Sequence, residues 1–299
     1  MDILSSVSDI ADNQSNGETE KNAKAVDKRN KLNELTGSEW MPETKSFFYQ
    51  KGLGAKHPDT KYEKMHPAPF SYTDIIRLIR FFTKTNDRVL DPFSGIGSTL
   101  KACLETERDG FGVELSEDWC ALTRERLHQE SAKSIDKHHL LCEDSRNLTT
   151  LFSKETFDFI VTSPPYWSIL DKKDHKAKMR VEDGLETKYS NDTRDLGNIE
   201  SYSDFLEELL NICFQCYDVL KKGKYFCLIV SDFRHKSHFI PFHSDLVQAL
   251  SQNPKAERQF MLKGVKVLLQ NAKKLFPYGY PFSYVENIHH QYILILQKP

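Results

Sequence analysis

The sequence predicts a doubly wound α/β fold on a mostly parallel sheet, and three observations lead there. Short apolar runs alternate with stretches of helical period, the pattern of strands joined by crossover helices. The runs at 88–93, 110–115 and 139–145 close on a glycine turn or on an acid. Finally, the chemically distinctive residues gather at the ends of these runs, where open α/β sheets bind their ligands.

Taken in chain order, residues 1–30 are polar and charged with few apolar anchors, the composition of a disordered tail, and 31–299 are expected to form one domain. The chain then turns aromatic, with Trp40, Phe47, Phe48 and Tyr49 around Lys45 and Ser46. "HPAPF" at 66–70 is a loop by its prolines. Ile75, Ile76, Leu78, Ile79 and Phe82 recur on one helical face. "RVLDPF", "GFGVEL" and "HLLCEDS" are the next strands, separated by helices at 98–105 and 117–129, and "FDFIV" at 157–161 is a fourth strand. A polar stretch, 168–200, interrupts the alternation. Residues 203–220 resume it as a helix that buries Phe205, Leu206, Leu209, Leu210 and Cys213, with Gly223 past its end. "KYFCLIV" at 224–230 and "HQYILIL" at 290–296 complete the strands, and no internal repeat occurs.

Composition narrows the function classes. At 299 residues and 39% hydrophobic content the chain can bury a real core. It contains no apolar run of about 18 residues, so a membrane span is not expected. The N-terminus, Met1-Asp2-Ile3-Leu4-Ser5, lacks the basic-then-apolar pattern of a signal peptide. Of the six cysteines only Cys213 and Cys216 have CxxC spacing, inside a helical pattern and without a second pair. Buried thiols in a reduced, cytoplasmic protein are therefore expected rather than a metal site. His235, His238 and His243 show no metal-ligand pattern either. A net charge of −2 neither demands nor excludes nucleic acid, because local patches matter more than the sum.

Two stretches carry chemistry. In "DPFSGIGST", Gly95 and Gly97 stand where the backbone must turn tightly and approach a ligand. A nicotinamide dinucleotide would favour a glycine at position 100, which is Leu100. Glu114 follows Gly95 by 19 residues, near the spacing at which a carboxylate reaches ribose hydroxyls. With Asp144 at the next strand end, the set reads as a nucleoside site. In "TSPPYW", two prolines fix φ and remove two N–H donors, leaving a rigid, acceptor-rich platform beside two large aromatics. Alone, that stretch reads equally well as a capped strand end.

Together, "DPFSGIGST", "GVEL", "CEDS" and "TSPPYW" resemble the S-adenosylmethionine-dependent DNA amino-methyltransferases, which methylate cytosine N4 or adenine N6. The resemblance spans roughly residues 40–299 and implies a Rossmann-like class I methyltransferase fold. By position it implies that Asp91, Phe93, Gly95 and Gly97 surround the methionine part of the cofactor, and that Pro92, Ser98 and Thr99 also bind the cofactor. Glu114 and Leu115 would hold the ribose, and Asp144 and Ser145 the adenine. "TKSFF" and "HPAPF" resemble the group's N-terminal cofactor motif, which adds Lys45, Ser46, His66 and Pro67. Thr162 would close the cofactor site, and Ser163, Pro164, Pro165, Tyr166 and Trp167 would form the catalytic loop. One feature departs from the pattern. In the class whose cofactor motif reads DPF-x-G-x-G-[ST] the catalytic motif usually precedes it, whereas here it follows, about 65 residues after Gly97.

The implied chemistry suits the loop. An exocyclic amine is a poor nucleophile because its lone pair is delocalised into the ring. Acceptors at the Ser163 hydroxyl and Pro164 carbonyl would favour a pyramidal nitrogen aimed at the methyl group. Serine is too weak a base to remove the proton first, so attack precedes or accompanies proton loss. Flipping the base costs a few kcal/mol, and stacking on Tyr166, helped by Trp167, returns about 1–3 kcal/mol. No cysteine follows the prolines, where Pro165 and Tyr166 stand, which argues against C5-cytosine chemistry. Serine before the prolines favours cytosine N4. Adenine N6 is the alternative, followed by RNA, a protein glutamine, or a catalytically silent relative. Double-stranded DNA is the expected partner, with a possible cognate restriction endonuclease. Lys172, Lys173, Lys176, Lys178 and Arg180 follow the loop directly and would grip phosphates. The segments 168–200 and 250–285 are candidate recognition insertions, although the cations of the second fit a charged helix face equally well.

Overall fold

The computed structural model describes residues 25–54, 56–66, 71–130, 138–167, 192–236, 238–252, 257–271 and 273–299. Thr36 caps α1 (Gly37–Glu43) by a reciprocal pair of bonds with Glu39. Then follow β1 (Phe47–Tyr49), α2 (Thr60–Met65), α3 (Tyr72–Phe82), β2 (Arg88–Asp91), α4 (Ser98–Glu105) and β3 (Asp109–Glu114). Next come α5 (Glu117–Glu130), β4 (His138–Cys142), α6 (Leu148–Leu151) and β5 (Phe157–Thr162). After the stretch 168–191 the chain forms α7 (Tyr202–Val219), β6 (Leu220–Val230), the hairpin β7 (Phe233–His235) and β8 (His238–Ile240), and α8 (Phe242–Ser251). It ends with β9 (Met261–Leu269) and β10 (His290–Gln297).

Eight strands make one sheet in the order β1-β9-β10-β6-β5-β2-β3-β4. Its neighbours pair in parallel except at β10, which runs against both β6 and β9. The chain moves outward from β2 through β3 to β4, then crosses back to β5. The order therefore reverses between β2 and β5, and the crevice at their carboxyl ends is where such a sheet binds ligands. Every residue of β5 is buried, as expected for a central strand covered on both faces. One face packs against α3, whose Ile75, Ile79 and Phe82 are buried and whose Phe82 stacks on Phe159 at 5.3 Å. The other face packs Phe157, Phe226 and Leu228 against Phe205, Leu209 and Cys213 of α7.

A buried ionic knot fixes α2 beside α4 and α5. Asp59 accepts from Arg126 at 2.7 Å and lies 2.9 Å from the Lys101 amine, and all three side chains are at most 3% exposed. Burial alone would raise the Asp59 carboxyl, but Arg126 and Lys101 outweigh it and hold it below its usual range. This knot matters to function because α2 leads directly into His66.

The predicted strands are all present and lie in this one sheet, while several elements were not anticipated: β1, α1, α2, α6, the β7–β8 hairpin, α8 and β9. The largest correction concerns 250–285. Residues 261–269 are a strand of the main sheet, inserted between β1 and β10. Its lysines hid the pattern. Lys266 is only 8% exposed, its amine bonds the Glu43 carbonyl, and burial lowers its pKa. The segment 168–200 is also divided, since 192–198 return to the body of the fold. Among the described residues no helix is long and apolar enough to cross a membrane. Cys103, Cys120, Cys213, Cys216 and Cys227 are buried free thiols.

Candidate active site

At the β2–β5 reversal lies a cleft that opens to solvent. It brings together His66, Pro92, Phe93, Gly95 and Ser98 of the amino-terminal half with Glu114, Leu115, Asp144 and Ser145 from the next two strand ends. Ser163 and Pro165 of the proline loop line it as well, with Pro164 buried between them.

The glycine turn is shaped by its neighbours. Gly97 has φ +72° and begins α4, and a Cβ there would lie 2.4 Å from the Thr123 methyl carbon. Gly95 has φ +51°, and a Cβ would stand 3.3 Å from His66 Nε2. Only glycine permits both the left-handed turn and the close approach. Ser94 is 4% exposed on this turn, and its hydroxyl has no hydrogen-bond partner among the described residues.

Asp91 is fully buried and does not line the cleft. It accepts from Thr162 and Thr99 hydroxyls at 2.5 Å each and from the Phe93 amide at 3.0 Å. Burial raises its carboxyl to about 6, against the pull of these three donors. Asp91, Thr99 and Thr162 were expected to touch the ligand; instead they hold the glycine turn and the proline loop together from behind. The sequence gap of 71 residues between Asp91 and Thr162 is closed only by pairing β2 with β5.

Glu114 faces the cleft. One of its oxygens accepts from the Gly95 amide at 2.8 Å and the other from Ser116 at 2.9 Å. Burial pushes the carboxyl up to about 7, with Asp195 and Asp91 adding repulsion and the two amides opposing it. Asp144 accepts from the Arg146 amide at 2.9 Å and pairs with its guanidinium at 3.1 Å. Ser145 is fixed by donating its hydroxyl to the Pro92 carbonyl.

The two aromatics of the catalytic loop are covered. Tyr166 is 8% exposed, and its hydroxyl accepts from Gln291 Nε2 at 3.0 Å and is also bonded by Ser163. Trp167 is 7% exposed, donates to the Ile199 carbonyl at 2.8 Å and packs on His235 at 4.4 Å. Both rings anchor the loop in this state, rather than offering a free face as the sequence led us to expect. Lys45 and Ser46 are elsewhere: they lead into β1 on the edge of the sheet, where the Ser46 carbonyl accepts from Val267, and β9, β10, β6 and β5 separate them from β2. Pro67, Lys172, Lys173, Lys176, Lys178 and Arg180 lie outside the described residues.

Several lining residues were missed. Trp119, whose ring meets His66 edge-on at 4.9 Å, comes from α5, and Ile212 from α7. Arg194, Asp195 and Leu196 arrive from the turn before α7, where Asp195 caps by accepting from Gly197. Arg146 bonds the Arg194 carbonyl at 2.8 Å and Glu208 at 2.7 Å, tying that turn over the Asp144 end. The Asp-Leu-Gly-Asn sequence was readable as a turn, but nothing local says that it folds over the cleft.

The fold and site define a doubly wound α/β protein whose cleft, at its switch point, is bordered by a rigid proline loop. A family model described as DNA methylase, of the N6/N4 type, matches residues 9–125 and 157–298. The chain belongs to that family. It is 39% identical over 75 residues to the methylase YubD of Escherichia coli K12, covering 25% of this chain and 32% of that protein. It is 36% identical over 75 residues to the Type II methyltransferase M.MjaI of Methanocaldococcus jannaschii, covering 25% and 24%. It is 31% identical over 88 residues to the Type II methyltransferase M.HpaI of Haemophilus parainfluenzae, covering 29% and 28%. The aligned regions thus span a third or less of these relatives' lengths.

Proposed function

We propose that the protein is an S-adenosylmethionine-dependent DNA methyltransferase acting on the exocyclic amine of a base, cytosine N4 in preference to adenine N6. The observation that carries this reading is the convergence on one cleft of the glycine turn, Glu114, Asp144 and the loop residues Ser163 and Pro165. Family membership supports it, and the Type II names of two relatives support a modification role beside a cognate restriction endonuclease.

The residues present fit the cofactor. The left-handed turn through Gly95 and Gly97 brings backbone without a side chain to the cleft wall beside His66, as an amino-acid moiety requires, and the Ser94 hydroxyl on the same turn has no partner among the described residues. Glu114, when ionised, accepts from ribose hydroxyls, and Asp144 with Ser145 borders the adenine end. Bound there, S-adenosylmethionine supplies an activated methyl group. Ser163, at the other wall, accepts from an amine N–H and orients the nitrogen lone pair. Pro164 and Pro165 keep that acceptor rigid, and Asp91 through Thr162 fixes the loop relative to the glycine turn. For Tyr166 to stack on a flipped base, the cover over its ring must move when DNA binds. Ser163 in place of an acidic or amide residue is what favours cytosine.

The test is to incubate the protein with genomic DNA and methyl-labelled cofactor, digest to nucleosides and identify the labelled one by mass. N4-methylcytosine is expected. N6-methyladenine would keep the mechanism and reverse the base assignment, and no label on DNA would send the search to RNA and protein.

A further inference from the structure

A second built surface lies on the other side of Tyr166 from the cofactor cleft. Gln291, which donates to the Tyr166 hydroxyl, accepts through Oε1 from Gln270 Nε2 at 3.3 Å. The same Gln270 nitrogen reaches Gln50 Oε1 at 3.1 Å. Gln270 Oε1 is buried with no hydrogen-bond partner among the described residues. A buried acceptor left in that state is costly unless a ligand supplies the donor. Gln50 and Gln270 border an open cleft whose wall continues through Asn271, Lys273, Lys274 and Phe276.

Beyond this cleft the loop 275–284 holds its rings in water. Tyr278, Tyr280, Phe282 and Tyr284 are 52%, 81%, 93% and 87% exposed. The loop is nevertheless built. The Asn287 amide bonds both the N–H and the carbonyl of Phe276, at 3.0 and 2.9 Å. The Gly279 carbonyl accepts from Phe282 and Ser283 at 2.7 and 2.8 Å. Gly279 has φ +75°, and a Cβ there would sit 2.3 Å from the Ser283 carbonyl. Arg234 ties the far end down by bonding the Glu286 carbonyl at 2.6 Å. Exposed aromatics on a preformed loop are a binding feature rather than fraying.

We infer that the Gln50–Gln270–Lys274 cleft and the 275–284 loop form a contact site for a DNA strand, which they hold beside the base presented to Ser163. This rests on the methyltransferase reading above. The occupant follows from chemistry and place. Side-chain amides read base edges, lysines meet phosphates, and exposed rings stack unpaired bases regardless of sequence. The segment 270–289 joins the carboxyl end of β9 to the amino end of β10, the same edge of the sheet as the end of β5. Gln291 makes the site continuous with the catalytic loop.

The test uses the full chain with a fluorescein-labelled mixed-sequence duplex, followed by anisotropy, with cofactor affinity measured in parallel by calorimetry. Lys273→Ala with Lys274→Ala should weaken DNA binding about tenfold and flatten the slope of log K against log salt by up to about two. Tyr280→Ala with Phe282→Ala, at highly exposed positions, should weaken it at least about fivefold and slow methyl transfer at subsaturating DNA. Cofactor affinity should not change in either variant. Wild type that binds and methylates DNA, together with variants that bind it equally well, would overturn the site. If the ring variant instead dissolves a wild-type dimer in sedimentation while DNA affinity holds, the face belongs to a second copy and the inference fails. A wild type that takes up cofactor but neither binds nor methylates the duplex removes the DNA reading itself, and this inference with it.

Discussion

Asp91 and Gln291 flank the proline loop from opposite sides, and each is bonded to it: Asp91 through Thr162 and Gln291 through Tyr166. Their surroundings differ. Around Asp91 the carboxylates are satisfied by the chain, with two hydroxyls and an amide on one and two more amides on neighbouring Glu114, and the Ser94 hydroxyl is left without a partner among the described residues. Around Gln291 the amides run in a chain through Gln270 to Gln50, with the Gln270 oxygen unpartnered among the described residues in its middle, near a loop whose rings stand in water. The first side is set in advance for one ligand of fixed shape. The second is assembled on the rim, where partners of variable sequence can be accommodated.

The comparison can be broken most forcefully on the cofactor side. Asp59→Asn removes the carboxylate that Lys101 and Arg126 share, leaving Lys101 with Glu105 at 4.0 Å, and should cost about 3–5 kcal/mol of stability in denaturant unfolding. A loss below about 1 kcal/mol would mean that α2 is not held by this knot. Glu114→Ala should weaken cofactor binding by roughly 1.5–3 kcal/mol, the value of hydrogen bonds to a charged group, and should also lower stability, because the Gly95 and Ser116 amides lose their acceptor. An unchanged dissociation constant would remove Glu114 from the ribose.

A pH titration sharpens the same point. Burial holds the Glu114 carboxyl up at about 7, so the free protein is largely protonated there below that pH. Ribose hydroxyls favour the ionised form, so cofactor affinity should rise with pH and level off above the pKa. Between pH 6 and 8 the gain should approach roughly tenfold, and Glu114→Gln should abolish the dependence. A flat profile in wild type would place the carboxylate out of contact.

On the target side the effects should be smaller and local. Gln291→Ala removes one neutral hydrogen bond from Tyr166, worth about 0.5–1.5 kcal/mol. It should slow methyl transfer by up to about tenfold while cofactor affinity stays constant. Equal losses in both measurements would show that the loop and the cofactor cleft act as one unit. Trp167→Phe, which deletes the bond to the Ile199 carbonyl, should lower stability by about 1 kcal/mol. A larger loss would give the indole a packing role beyond its hydrogen bond.

The sequence by itself determined the cofactor half of the sheet, because its signals are local. Apolar runs that end in Asp91, Glu114 and Asp144, the turn through Gly95 and Gly97, and the helices between them need only neighbouring residues to be read. It also determined that Ser163 and Pro165 would sit beside that turn, since α/β sheets gather their strand ends at one edge. Only the tertiary structure decided which of these residues touch the cleft and which support it from behind, for Asp91 and Glu114 are both carboxylates at strand ends and differ in direction rather than in type. It alone made β9 a strand, by burying Lys266 where the sequence reads a solvated charge. It alone joined Gln291 to Tyr166 across 125 residues and folded Arg194 and Asp195 over the cleft. Such contacts depend on strand order and loop return, and a residue's own neighbours carry no record of either.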